Sequence, residues 1–214
     1  MKLLLAISCL LNFQSLLAQP DFQTLPASVW KFKTKQPIFS SAVVTGETVY
    51  VGGSDSILYA LNIETGKVFW KFITKGEIRS EVSIHNNNVY LLSGDGAVYC
   101  LNSETGKQKW IFKTAGEQKY PLYSFADYYQ SAPVYENGII YFGSGDHHIY
   151  AVNAETGKLV WKFRTGSIVH TTPLVHGKKI YIIYQMKSSV YKDNQRFFVS
   201  TSPNKVPHVK QLLP

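Results

Sequence analysis

The chain has 214 residues, 45% of them hydrophobic and 14% aromatic, a composition that supports a packed core and excludes a disordered chain. Its formal charge of +8, from 22 Lys and Arg against 14 Asp and Glu, is spread thinly, as at Lys67, Lys107 and Lys158, which excludes the clustered basic face that nucleic acid requires. Its two cysteines, Cys9 and Cys100, stand far apart, so no disulfide framework is expected.

Residues 1–18 read as a secretory signal. Lys2 supplies the positive start, Leu3 to Leu11 the apolar run, and cleavage after Ala18 leaves the bulky Leu16 at the minus-three position. The run is too short to span a bilayer, and no transmembrane segment is predicted elsewhere. A lipoprotein anchor at Cys9 is disfavoured, because eight residues precede it and Ala6 rather than Leu stands three before it. An exported protein is expected. Residues 19–194 form its repeats and residues 195–214 an irregular tail without repeat pattern.

From Trp30 the chain repeats, with tryptophans at 30, 70, 110 and 161, spaced 40, 40 and 51 residues apart. A period near 40 with four short strands per unit is the mark of propeller blades. The first unit, 41–74, divides into strands at 41–45, 48–52, 57–62 and 68–74, with turns at Gly46-Glu47, Gly53-Ser54-Asp55 and Glu64-Thr65-Gly66-Lys67. Further units run over 80–114 and 131–165, and a partial fourth over 171–194. In that fourth unit Thr171–Val175 and Ile180–Ile183 match the earlier ones, Met186 stands where the turn Asp should be, and no closing Trp follows.

Residues 29–34, Trp30-Lys-Phe-Lys-Thr34 above all, repeat the end of a unit without the strands before it, so they are predicted as a lone outer strand able to close the fourth unit. The expected architecture is all-β, a propeller of four-stranded antiparallel blades, three complete and one partial, left open.

Some repeated residues have evident physical roles. Tyr50, Tyr90, Tyr141 and Tyr181 in second strands, and Tyr59, Tyr99 and Tyr150 in third strands, are expected to pack as opposed aromatic pairs between strands and blades. Asp55, Asp95 and Asp146 sit in turns and are expected to bond their own turn backbone. Cys100 occupies the place of Ala60 and Ala151 and is expected to be a small buried packing residue.

The phrase Ala-x-Asn-x-Glu-Thr-Gly-x-x-x-Trp, carried at Ala60–Trp70, at Ala151–Trp161 and, with Cys for Ala, at Cys100–Trp110, resembles the repeat of the pyrroloquinoline-quinone-type β-propellers. That family includes quinoprotein dehydrogenases and the lipoprotein propeller of the outer-membrane β-barrel assembly machine. The resemblance covers residues 27–184. It implies a tryptophan-docking role for Trp70, Trp110 and Trp161, each between Ala60, Cys100 or Ala151 of its own repeat and Gly66, Gly106 or Gly157 of a turn. A quinone enzyme of the family usually has more blades, often an adjacent-cysteine disulfide, and acidic and Asn ligands for calcium. This chain has no adjacent cysteines. The resemblance therefore implies a non-enzymatic propeller like the assembly protein, with pyrroloquinoline quinone entering through the family name alone, and neither catalytic nor metal residues.

Function is expected where the chain departs from its repeat. The link Glu117–Gln130 carries 11 extra residues, and five of its fourteen are aromatic: Tyr120, Tyr123, Phe125, Tyr128 and Tyr129. Such a link suits either a contact surface or a cap folded back on the blades. Phe39, Arg79, Gln130 and His170 precede the inner strands, differ from unit to unit, and would ring the channel mouth. His147 and His148, as strand neighbours, point to opposite faces and make a poor metal pair. The expected function is a scaffold at the cell envelope that binds a protein or peptide. The alternative is a fragment or relative of a quinone-dependent alcohol or sugar dehydrogenase.

Overall fold

The computed structural model describes residues 28–117, 130–176, 179–185 and 195–200. The expected leader 1–18 with Cys9, the aromatic stretch 118–129 and the chain after residue 200 lie outside them. The chain divides into two compact units, Met1–Lys31 and Phe32–Pro214. The second holds every strand among the described residues, and residues 28–31 of the first carry none.

The first sheet is β1 (Val43–Thr45), β2 (Thr48–Gly52), β3 (Ile57–Asn62) and β4 (Val68–Ile73), antiparallel and side by side in that order. The second repeats it with β5 (Ser83–His85), β6 (Asn88–Ser93), β7 (Ala97–Asn102) and β8 (Gln108–Lys113). The third repeats it with β9 (Val134–Glu136), β10 (Ile139–Ser144), β11 (His148–Asn153) and β12 (Leu159–Arg164). A fourth, three-stranded sheet is β13 (Leu174–His176), β14 (Lys179–Gln185) and β15 (Gln195–Ser200). The architecture is all-β, with blades of the predicted kind in an open arrangement.

Burial follows strand position. In the three complete sheets the second and third strands lie mid-sheet and are buried on both faces. The fourth strands sit at the rim and bury alternate residues, Trp70 and Phe72 turning inward from exposed Phe69 and Lys71. Three apolar clusters fill the gaps between successive sheets. Tyr50, Leu58 and Ala60 meet Leu91, Tyr99 and Leu101 in the first. Tyr90, Val98 and Cys100 meet Ile140, Phe142 and Tyr150 in the next. Tyr141, Ile149 and Trp161 meet Val169, Ile180 and Ile182 in the last.

The Asn-x-Glu-Thr-Gly turn is locally self-sufficient. The Asn62 side-chain oxygen accepts from the amides of Glu64 (3.1 Å) and Thr65 (2.8 Å) and from the Thr65 hydroxyl (2.8 Å). Asn102 and Asn153 do the same in their repeats. These short-range bonds explain why the phrase can be read so clearly along the chain.

Three expectations need correcting. The paired tyrosines do not oppose one another: Tyr50 stands across from Ala60 and Tyr59 from Val51. With strict side-chain alternation they face different gaps, Tyr50 toward Trp70 at 5.8 Å and Tyr59 toward Phe32 at 5.0 Å. The stretch read as an irregular tail begins with a strand, β15, paired to β14 from Ile180↔Ser200 to Gln185↔Gln195. It was missed because residues 186–194 separate the two strands where earlier units use a tight turn, so the period breaks before the strand arrives. Residues 29–34, expected as a lone outer strand, are assigned no strand.

Candidate functional site

The two joints between the complete blades are built from the repeated phrase. Trp70, across from Ala60, donates its indole N–H to Ser103 O at 2.9 Å in the next sheet. Trp110, across from Cys100, donates likewise to Ala154 O at 3.0 Å. The indoles lie against Gly106 and Gly157, where an added Cβ would fall 2.6 Å from the Trp70 and Trp110 rings. Both glycines have positive φ, +68° and +67°, so two separate constraints hold the position. Gly66 shares the conformation at +66°, and Trp161, across from Ala151, is buried. A bulge beside each tryptophan turns Phe69, Lys109 and Val160 outward. Burial raises the Cys100 thiol to about 11, which leaves it a packing group and not a thiolate nucleophile.

The turn aspartates do more than brace their own turns. Asp95 accepts from the Ala97 amide at 3.1 Å, from the Tyr99 hydroxyl at 2.6 Å, and from the Lys75 amide at 3.0 Å. Lys75 belongs to the link leaving the previous blade, so the carboxylate ties two blades together. Asp146 repeats this with His148 N (3.1 Å), Tyr150 (2.6 Å) and Ala115 N (2.9 Å). Asp55 accepts from Tyr59 at 2.6 Å, while its Oδ1 is buried and accepts no bond among the described residues. His148 Nδ1 lies 3.0 Å from Asp146 O and 3.3 Å from Asp146 Oδ1.

The tyrosines beside these groups yield a pH prediction. Burial raises the hydroxyls of Tyr59, Tyr90 and Tyr141 from the ordinary 10.0 to about 12, with Asp55, Cys100 and Glu136 respectively adding to the effect. Tyr99 and Tyr150 are pushed further up, first by burial and then by Asp95 and Asp146. The folded state therefore keeps these protons to higher pH than the unfolded chain does. The stability they contribute is complete below pH 10 and is lost as pH climbs toward 12. Alkaline titration should show part of the tyrosinate absorbance appearing in one step with loss of the far-ultraviolet β signal. Complete ionisation of the tyrosines with the fold intact would contradict this.

Of the predicted site residues, Tyr120, Tyr123, Phe125, Tyr128 and Tyr129 lie outside the described residues. The other four lie among the described residues, and two have internal roles. Gln130 is buried and bridges backwards, accepting from Arg79 N at 2.9 Å and donating to Glu77 O at 3.0 Å. The His170 side chain is 6% exposed, with Nε2 3.6 Å from Glu117 Oε2. Phe39 is 53% exposed, and the Arg79 guanidinium lies over its ring at 4.6 Å while also bonding Glu77. The structure thus makes Phe39, Arg79 and Gln130 neighbours, with Phe39 exposed and Gln130 buried beneath.

Glu117 was not singled out from sequence. Its side chain is 1% exposed, and its carboxylate accepts from the Ser144 hydroxyl (3.0 Å) and the Gly145 amide (2.9 Å), anchoring the start of the long link. The available signal was the repeated Gly-Glu after a strand-ending threonine, Gly76-Glu77 and Gly116-Glu117. Ile78 and Val169 of the short links press on Gly52 and Gly143, where added Cβ atoms would fall 2.3 and 2.4 Å from them. Leu92 holds the equivalent position in the second sheet and is buried there.

The sequence matches the family described as outer membrane protein assembly factor BamB over residues 26–127 and 127–196. No curated protein matches it. Among solved structures, BamB from Moraxella catarrhalis superposes with a TM-score of 0.67 at 17% identity, covering 86% of this chain and 54% of that one. The chain thus spans about half the length of that relative. Quinohemoprotein alcohol dehydrogenase from Comamonas testosteroni gives 0.65 at 16% identity, covering 82% of this chain and 34% of that one. The computationally designed Ika4 protein gives 0.62 at 16% identity, covering 81% of this chain and 98% of that one. At these identities the structural likenesses concern the fold.

Proposed function

The chain belongs to the outer membrane protein assembly factor BamB family, and from that premise we propose that it is an exported, non-enzymatic propeller module that binds protein or peptide partners at the cell envelope. The observation that carries this reading is the exposed Phe39 ring stacked under the Arg79 guanidinium. Arginine and aromatic side chains are the types that dominate binding energy at protein interfaces. They stand on a rim that the scaffold itself does not require to be apolar. The aromatic link between Glu117 and Gln130 adds a second group of the same chemistry, and the expected leader 1–18 supports export.

A quinone cofactor with calcium fits the described residues poorly. The turn carboxylates Asp95 and Asp146 are already engaged with hydroxyls and amides. The dehydrogenase reading draws on the likeness to the Comamonas enzyme, which concerns the fold. Adding pyrroloquinoline quinone with calcium should leave the cofactor spectrum unchanged and produce no dye-linked oxidation of alcohols or sugars.

The binding test uses a labelled, urea-diluted outer-membrane β-barrel polypeptide followed by fluorescence anisotropy. Saturable binding is expected, weakened at least tenfold by deleting Gln118–Tyr129 and also by the double variant Phe39→Ala and Arg79→Ala. Equal affinity of all three proteins would remove the rim as the contact.

A further inference from the structure

Among the described residues, a segment with the sequence of an outer strand belongs to no sheet, and the fourth sheet has three strands. Trp30-Lys-Phe-Lys-Thr34 matches the strand endings Trp70-Lys-Phe-Ile-Thr74, Trp110-Ile-Phe-Lys-Thr114 and Trp161-Lys-Phe-Arg-Thr165. The second half of the segment is already seated as those strands are. The Phe32 ring meets Tyr59 edge-on at 5.0 Å, as Phe72 meets Tyr99 at 5.3 Å and Phe112 meets Tyr150 at 5.4 Å. The Thr34 hydroxyl donates to Gln36 O at 2.6 Å, as Thr74 does to Gly76 O at 2.7 Å. Thr74 and Thr114 also give their amides to the carbonyl just before the third strand of their own sheet, Ser56 O at 2.9 Å and Gly96 O at 2.8 Å. Among the described residues Thr34 gives its amide to no such strand.

The fourth sheet shows the complementary gap, since its order β13-β14-β15 ends where the first three sheets have one strand more. Asp95 and Asp146 each take an amide from the link after the preceding outer strand, Lys75 N and Ala115 N, on the oxygen that also holds the tyrosine hydroxyl. Among the described residues Asp55 holds Tyr59 on that oxygen and takes no link amide.

We propose that two copies of this chain exchange these strands, the Trp30–Thr34 segment of each completing the fourth sheet of the other. Within the second unit residues 32–34 and β15 are both described and share no ladder, which favours a second copy over self-closure. A reciprocal exchange is two-fold symmetric and closed, so it removes both exposed edges at once. The register follows from the third sheet. Tyr141↔Ala151 and Ala151↔Trp161 there correspond to Tyr181↔Val199 here, which places Trp30 across from Val199 and Lys31 across from Phe198 of the other copy.

Light scattering on the full chain should give twice the single-chain mass. A Lys31→Cys, Phe198→Cys variant in a Cys9→Ser background should oxidise to a disulfide-linked dimer, and either cysteine alone should not. Thr34→Pro removes the amide offered to the ladder but leaves Phe32 on Tyr59, and should weaken the dimer at least tenfold. A monomer whose cysteines join within one chain would overturn the proposal in favour of self-closure. A monomer without any link would overturn it in favour of another occupant of the edge. A dimer indifferent to Thr34→Pro and unable to form the disulfide would overturn it by placing the contact elsewhere.

Discussion

Replacing Gly157 by alanine is expected to cost about 3–5 kcal/mol, as much as removing a large aromatic from the core. The new Cβ would lie 2.6 and 2.7 Å from the Trp110 ring, too close for any side chain to accept. The indole cannot slide away without breaking its bond to Ala154 O and opening the cluster around Tyr90 and Phe142. Part of the loss is backbone strain, because φ is +67°. Gly138→Ala separates the two contributions: φ is +80° there and nothing lies within 4 Å of the added carbon. That variant should lose about 1–2 kcal/mol, the strain alone. Urea denaturation of both proteins measures the difference. Equal losses would mean that the indole is not what holds the neighbouring turn.

The turn aspartates should form a graded series. Asp146→Ala orphans the Tyr150 hydroxyl and the amides of Ala115 and His148, and should cost about 3 kcal/mol or more, since each buried unpaired donor costs about 1–3 kcal/mol. Asp95→Ala orphans an equivalent set and should match it. Asp55→Ala should cost markedly less, because it releases one hydroxyl and also removes a buried oxygen that has no partner. Thermal melts of the three variants test the order. A result in which Asp55→Ala is the most damaging would mean that the carboxylates act through their own turns and not through the link to the previous blade.

The contrast between these two sets of residues shows how far the sequence can be read. Asn62, Glu64, Thr65 and Gly66 close their turn with bonds spanning no more than four residues, so the pattern recurs in the chain as plainly as in space. The strands at 48–52 and 57–62 were legible for the same reason, their apolar runs being bounded by such turns. The reach of Asp95 to Lys75, of Gln130 to Glu77 and of Glu117 to Gly145 depends on how one sheet sits on the next. No local pattern encodes that placement. Gln130 therefore looked like a variable rim residue when it is an internal brace, and the Asp55 position looked identical to its two copies. Phe39 was legible as a residue preceding an inner strand, but its pairing with Arg79 crosses 40 residues and emerged from the structure.

The joint made by Trp70 with Gly106 and Ser103, and again by Trp110 with Gly157 and Ala154, has the same parts each time and reaches one sheet ahead. Such a chain stores its stability as a string of like couplings between neighbours and not in a single shared centre. An in-frame duplication or loss of one repeat would then lengthen or shorten the array while leaving every remaining joint chemically intact. The number of blades is thereby free to change over evolutionary time, and the rim residues can diverge independently on each one.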